Sequence, residues 1–409
     1  MKTVRLGDIG NIVTGKTPSS KEPQSYGNEY LFITPSDNFD EKYIKKTIRY
    51  LSEYGKNSLS GKLLKENSIL VTCIGSAMGK VAINKFPAIT NQQINSIEVK
   101  LDFDTDYIYY CLKNNYALLR NASSGSTALP ILNKTDFENL SLKIHKDLKT
   151  QQSIAKILSQ LDQKIALNNQ INAQLEQMAK TIYDYWFVQF DFPDENGKPY
   201  KSSGGEMVYN EVLKREIPVG WSENNLWSIA TYFNGLALQN YRPINSNDYL
   251  PVIKIKEMNN GISNSTEKAD INIPKDAIID DGDILFSWSA TLDVKIWSQG
   301  KGALNQHIFK VTSKEYPKIF IYFELLRYLK HFKMMAELRK TTMGHITQDH
   351  LKQAYICIPT TDLLEKIENL IKPIVNKQLL AQKQNQQLTQ LRDFLLPMLM
   401  NGQVGIADD

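Results

Sequence analysis

Gly10-Asn11-Ile12-Val13-Thr14-Gly15-Lys16-Thr17 matches, letter by letter, the pattern of a loop that cradles nucleotide phosphates on backbone amides. Such a loop must follow a buried strand and open a helix whose first amides hold the phosphates. Here only nine residues precede it, and Pro18-Ser19-Ser20-Lys21-Glu22-Pro23 follows with no helical pattern, so nucleotide hydrolysis is not expected. The five histidines (His145, His307, His331, His345, His350) form no His-Glu-x-x-His pair, and no cysteine stands at zinc-ligand spacing, so no metal site is indicated. No Gly-x-Ser-x-Gly elbow marks a nucleophile. A nucleobase methyltransferase needs an (Asn/Asp)-Pro-Pro-(Tyr/Phe) pocket, and the chain contains no Pro-Pro. No catalytic residue is assigned.

What remains is binding chemistry. The net charge of +4 (48 basic minus 44 acidic) and a pI near 8.6 fall short of the pI above about 9 that marks an overtly basic nucleic-acid binder. The charge is local, however. Residues 318–340 hold six Lys or Arg against Glu324 and Glu337, and residues 41–66 hold seven, Lys42, Lys45 and Lys46 among them, against Glu41, Glu53 and Glu66. Clusters of this kind neutralise phosphates, while base edges are read by Asn, Gln, Arg and Ser/Thr. Candidates are Ser76, Lys80, Asn91, Gln92 and Gln93, then Ser289, Asn305, Gln306 and His307. The competing use of the same residues is as solvated faces and strand-end caps. Trp288 and Trp297 read as core rather than as stacking platforms.

The elements that must position these groups occur twice. Leu6-Gly7-Asp8-Ile9 with Gly15 aligns with Leu226-Trp227-Ser228-Ile229 with Gly235 at an offset of 220, and Tyr30-Leu31 with Tyr249-Leu250 at 219. Ile69-Leu70 then pairs with Ile284-Leu285 at 215, Asn91-Gln92 with Asn305-Gln306 at 214, and Asn172 and Leu175 with Asn385 and Leu388 at 213. Such slow drift is what small loop insertions in a duplicated module produce. Each copy opens with short β-branched runs and turns around one helix, over 106–120 in the first and 318–340 in the second. Each closes with a glycine-free stretch of helical periodicity, over 148–188 and 361–400.

Helices of that length, some 60 Å at about 1.5 Å per residue, need a partner along them. Their apolar spacing of three and four predicts a coiled-coil seam that turns polar at Asn168, Asn172, Ala381 and Asn385. Two separate amphipathic helices are the alternative, which a kink at Pro373 would favour. The organisation expected is therefore a domain over 1–147, a long helix over 148–188, a linker over 189–220, a second domain over 221–360, a second long helix over 361–400 and a tail over 401–409. The fold class is α/β (α+β), with mixed sheets, antiparallel long helices and a pseudo-two-fold internal repeat. At 42% hydrophobic and 22% charged the chain is globular in composition. No stretch approaches the roughly 18 apolar residues of a membrane helix. The odd number of dispersed cysteines and the lack of a secretory signal suggest a cytoplasmic protein.

The whole pattern resembles the specificity subunits of type I restriction-modification systems. Gly15-Lys16-Thr17-Pro18-Ser19 resembles the turn that opens a target recognition domain, and Thr342-Met343-Gly344-His345-Ile346 through Ile356-Cys357-Ile358-Pro359 resembles its closing stretch. Gln151-Gln152-Ser153-Ile154-Ala155, Tyr185-Trp186-Phe187 and the 191–220 connector resemble the central region. The first copy departs by having Ile144-His145-Lys146 without the proline, and the second has Asp362-Leu363-Leu364 where glutamine is usual. The resemblance implies a non-catalytic subunit in which each domain reads one half of a split, asymmetric DNA target. It implies double-stranded DNA, two methyltransferase subunits and restriction subunits as partners, and no membrane. The chain itself would hold no cofactor; S-adenosylmethionine, ATP and Mg would belong to the partners. DNA contacts are then expected from the candidates above together with Lys16, Thr17, Lys45, Lys46, Arg242, Lys254, Lys256, Arg339 and Lys340. Partner contacts are expected from Ile171, Leu175, Met178, Ile182, Tyr185, Trp186, Phe187, Leu388, Leu391, Leu395 and Met398. The competing reading is a coiled-coil scaffold bearing two protein-binding domains with no role on DNA.

Overall fold

The computed structural model describes residues 1–75, 77–122, 131–243, 248–338 and 345–405. They fall into two compact units, one joining Met1–Ile165 with Gln387–Asp409 and the other spanning Ala166–Gln386. In the first unit Lys2–Arg5 pairs antiparallel with Ser141–Ile144 and ties the ends of the first copy together. Between them lies a five-stranded sheet in the order Gly10–Thr14, Ile94–Val99, Ile69–Thr72, Val81–Asn84, Tyr43–Ile44. A four-stranded sheet follows the order Tyr26–Gly27, Arg49–Leu51, Tyr30–Ile33, Ala88–Thr90, its last pair parallel. Ile69–Thr72 and Val81–Asn84 are buried along their whole length, the pattern of strands covered on both faces.

The second unit repeats this plan. Ser222–Asn225 pairs antiparallel with Tyr355–Ile358. Thr231–Asn234, Ile308–Thr312, Ile284–Ser287 and Asp293–Ile296 form one sheet, and Lys268–Ala269, Leu250–Ile253, Gly302–Leu304 and Ile278–Ile279 the other, again with one parallel pair. The duplication read from the sequence is present, with one register correction. Asn91 N–H donates to Ile33 O and Asn305 N–H to Ile253 O, an offset of 220 at this strand, so the Tyr30–Tyr249 match is one residue out. Two adjacent aromatic-aliphatic pairs look alike to a sequence, but a one-residue slip reverses which side chains face the core.

The helix expected over 106–120 is two helices, Thr105–Asn114 and Tyr116–Asn121. Asn115, with φ −98° and ψ 29°, leaves the helical conformation between them, and its side-chain amide joins its own N–H on Cys111 O at 2.8 Å. Its counterpart, Lys318–Leu338, is continuous, and residues 339–340 lie outside the described residues.

The long helices span Leu148–Tyr183, prolonged by a π-helical turn over Asp184–Val188, and Thr361–Met400. Each supplies apolar residues to both units. Ile154, Ala155 and Leu158 join Leu396, Leu399 and Met400 in the first core. Ala179, Tyr183 and Phe187 join Leu363, Leu364, Ile367, Ile371 and Val375 in the second. In the second unit the helices run antiparallel: Asn168 donates to Asn385 at 2.9 Å, Asn385 to Asn169 at 2.7 Å, and Gln378 to the carbonyl of Asn172 at 3.2 Å. Asparagine in such a seam fixes register at a cost in stability. Pro373 does not end the second helix, because its ring faces solvent where the ladder can open outward.

The proline- and glycine-rich segment after the first long helix is packed rather than loose. Asp191 accepts from Ser202 N–H and Oγ at 2.8 and 2.7 Å, Phe192 stacks on Tyr200 and Trp221, and Met207–Asn210 pairs with Arg215–Pro218. The three cysteines are buried and unpaired, and burial pushes the Cys73 thiol up to about 11.

Candidate nucleic-acid interface

In each copy one glycine lets a loop cross the start of a hairpin strand. Gly15 N–H donates to Ile94 O and Lys16 N–H to Thr90 O; Gly235 N–H donates to Ile308 O and Leu236 N–H to Leu304 O. A Cβ at Gly15 would stand 2.2 Å from the carbonyls of Thr90 and Asn91, and one at Gly235 2.3 Å from Asn305 O, so only glycine permits the crossing. This explains the phosphate-loop pattern. Gly10–Thr14 is a strand, and the amides of Gly15 and Lys16 are already spent on carbonyls rather than free for an anion.

The crossing gathers candidate residues, differently in the two copies. In the first, Thr17 Oγ1 donates to Gln92 Oε1 at 2.6 Å and Asn91 Nδ2 to Gln93 Oε1 at 3.0 Å. Lys80 follows the hairpin at the same end of the sheet, with Thr72 N–H bonded to its carbonyl, and pairs with Asp40 at 3.1 Å. Lys45 and Lys46 are exposed but follow the opposite edge strand at its other end, beside Asn84, so they belong to a different surface. In the second copy Arg242, Lys254, Asn305 and His307 line one hollow of about 390 Å³ with Leu238, Gln239 and Glu267. Gln306 N–H donates to Leu236 O, and Lys256 stands exposed nearby on the helix Ile255–Asn260.

Several expectations need correction. Ser289 is buried at 3% exposure and cannot touch DNA without rearrangement. The Asn91 side chain is spent on its own turn, accepting from Gln93 N–H at 3.1 Å as well as donating to the same residue. Trp288, expected in the core, packs half-buried against its edge beside Phe309, with His307 and His345 on its outer side and its indole N–H on Asn234 Oδ1 at 3.0 Å. Ser76, Arg339 and Lys340 lie outside the described residues. Gln239, Glu267 and Asn234 were missed, since none sits in a motif or a charge cluster.

The basic stretches are also thinner than their composition. Lys42 is buried, with Nζ 3.0 Å from Asp106 Oδ1 and 2.8 Å from Ser159 Oγ. Burial lowers its pKa below the usual lysine value, with Asp106 opposing. Tyr110 donates to Asp162 at 2.6 Å, and Arg392 closes the network on the other Asp162 oxygen at 2.8 Å. In the second unit Tyr183 donates to the buried Glu324 at 2.8 Å, and Arg327 pairs with the same carboxylate at 2.5 Å. These charges hold helices to one another rather than facing a ligand.

Removing one partner strands the other. Asp106→Ala is expected to destabilise the first unit by about 3 kcal/mol because it leaves a buried ammonium without its counter-ion. Denaturation should show this as a fall in Tm of roughly 6–12 °C, and Lys42→Met should cost less. Because the folded pKa of Lys42 lies below its ordinary value of 10.5, the unfolded chain binds more protons in the window between them. The Asp106→Ala deficit should therefore be full at neutral pH and shrink as pH rises toward that value. A deficit that grows with pH would show that Lys42 is not the stranded group.

The family profile described as "Type I restriction modification DNA specificity domain" matches residues 1–177 and 218–390, one match to each copy. The chain belongs to this family. It is similar to the Type I restriction enzyme MjaIX specificity subunit of Methanocaldococcus jannaschii, 27% identical over 99% of this chain and 93% of that one. A shorter match to the Type I restriction enzyme HindI specificity subunit of Haemophilus influenzae is 35% identical over 34% of this chain and 30% of that one. Among solved structures, the type I restriction-modification S subunit from M. genitalium shares the fold, with a TM-score of 0.60 at 15% identity over 98% of this chain and 96% of that chain. A specificity subunit is the non-catalytic member of its system, and the catalytic activities lie in other subunits.

The long helices of this specificity subunit carry exposed apolar side chains. Of the expected partner contacts, Met178, Tyr185 and Leu391 are exposed, while Ile171, Leu175, Ile182, Trp186, Leu388, Leu395 and Met398 are half-buried. Phe187 is a correction: its ring is buried against Tyr183, Trp221 and Phe320 and has no face left for a partner. Leu167, Leu370, Leu380 and Phe394 are exposed and were not singled out. No helix among the described residues is long and apolar enough to cross a membrane.

Proposed function

We propose that each copy reads one half of a bipartite, asymmetric DNA target, and that the long helices dock two methyltransferase subunits, with restriction subunits joining the complex in the cytoplasm. The observation that carries the reading is the glycine-permitted crossing, built on the same backbone bonds in both copies but dressed with Thr17, Gln92 and Gln93 in one and with Arg242, Lys254 and His307 in the other. A shared scaffold with different polar groups at one place is what two domains need if they read different sequences in a common geometry. Exposed Met178, Leu391 and Phe394 support docking, since apolar side chains on a water-facing helix mark a surface that a partner covers.

Binding of the assembled complex to its target should weaken steeply with salt, with a log-log slope of about −0.9 for each phosphate neutralised. A slope near zero would point instead to a scaffold that does not engage DNA.

A further inference from the structure

The hollow beside Gly235 is more specific than a basic patch. Lys254 and Glu267 stand 2.5 Å apart as an ion pair, and Arg242, exposed at the rim and attracted by the same Glu267 carboxylate, is the remaining cation among the described lining residues. A wall made of the paired Lys254 and Glu267 is close to neutral, as a base edge is, and leaves recognition there to shape and hydrogen bonding. The planar fork of arginine matches the paired acceptors O6 and N7 of guanine. Asn305, held in place by the bond from its N–H to Ile253 O, and His307 supply further polar groups beside it. The first copy lacks this arrangement: Glu22 leads into the short helix Pro23–Ser25 whereas Arg242 follows the short helix Leu238–Asn240, and the Thr17–Gln92 bond joins the equivalent loops.

We propose that this hollow reads a guanine through Arg242, so that the half-site read by residues 221–360 contains a G·C pair fixed by that residue. The inference rests on the DNA-reading role proposed above. The test is the methylated motif of cells carrying the chain with its methyltransferase subunits, determined for the natural protein and for Arg242→Gln and Arg242→Lys. The natural motif should hold an invariant G·C pair in the half that changes when residues 221–360 are exchanged. Arg242→Gln should lower discrimination at that one position by roughly 5- to 100-fold and shift it toward adenine, which glutamine reads, with every other position unchanged. Arg242→Lys should keep guanine with weaker preference.

A half-site with no G·C pair overturns the proposal without any variant. So does an Arg242→Gln motif identical to the natural one, including the case where binding falls evenly across sequences and the salt slope drops by about one, the signature of a phosphate contact. If exchange of 221–360 alters neither half, the failure lies in the DNA-reading role itself.

Discussion

Exchanging residues 221–360 for the equivalent segment of another specificity subunit is expected to rewrite one half of the methylated motif and leave the other half intact. The segment is suited to transfer because its ends are paired with each other: Ser222 lies opposite Ile358 and Asn225 opposite Tyr355. It leaves the scaffold through apolar contacts, Phe320 and Phe323 against Tyr183, and Trp221 against Phe187, Phe190 and Phe192. A donor that keeps aromatic residues at those places should assemble. Each wrong base pair costs about 1–3 kcal/mol, so three changed positions move the preference by on the order of a thousandfold or more. Sequencing of methylated genomes reads the outcome directly. Alteration of both halves would sink the assignment of one domain to one half.

The second large effect concerns the spacer between the half-sites. If the long helices set it, four residues inserted after Gln170 together with four after Ala381 should lengthen the spacer by one or two base pairs, since four residues add about 6 Å and a base pair about 3.4 Å. Both insertions are required, because Asn168 with Asn385 and Asn172 with Gln378 bind the helices to each other here, and lengthening one alone leaves the other short. Four residues turn the apolar stripe by only about 40° beyond a full turn, with local unwinding where the heptad is broken. Matched insertions of two residues turn it by about 200° and should abolish methylation by disrupting assembly. An active four-residue variant with an unchanged spacer would mean that the helices dock partners without setting the distance.

The duplication and both long helices were legible in the sequence because each rests on many weak, spaced matches that add up. The asparagines at 168 and 385 were legible as a polar step in an otherwise apolar seam. Lys42 was not, since counting charges cannot reveal that one lysine of a run meets Asp106 in the interior. The break at Asn115 was hidden because it is a change in the backbone angles of one residue inside a stretch whose apolar period continues. The hollow was legible only in part: Arg242, Lys254, Asn305 and His307 were candidates, but that they converge with Gln239 and Glu267, from loops of separate strands, follows from no spacing along the chain. Composition finds elements with a period, whereas sites assembled from aperiodic loops become visible only once the fold is in place.

The first unit is completed by residues that come after the whole of the second, and that bears on how the protein is made. Ile154 and Leu158 share a core with Leu396, Leu399 and Met400, and Cys111 lies 3.3 Å from the sulfur of Met400. On the ribosome, where elongation adds about 5–20 residues each second, the early half of that core waits roughly tens of seconds for its last pieces. The second unit, by contrast, is one unbroken stretch and can close before the segment that completes the first has been made. The part begun first is thus completed after the second unit, and until then its unfilled apolar seat is open to aggregation, or to a helper that covers it.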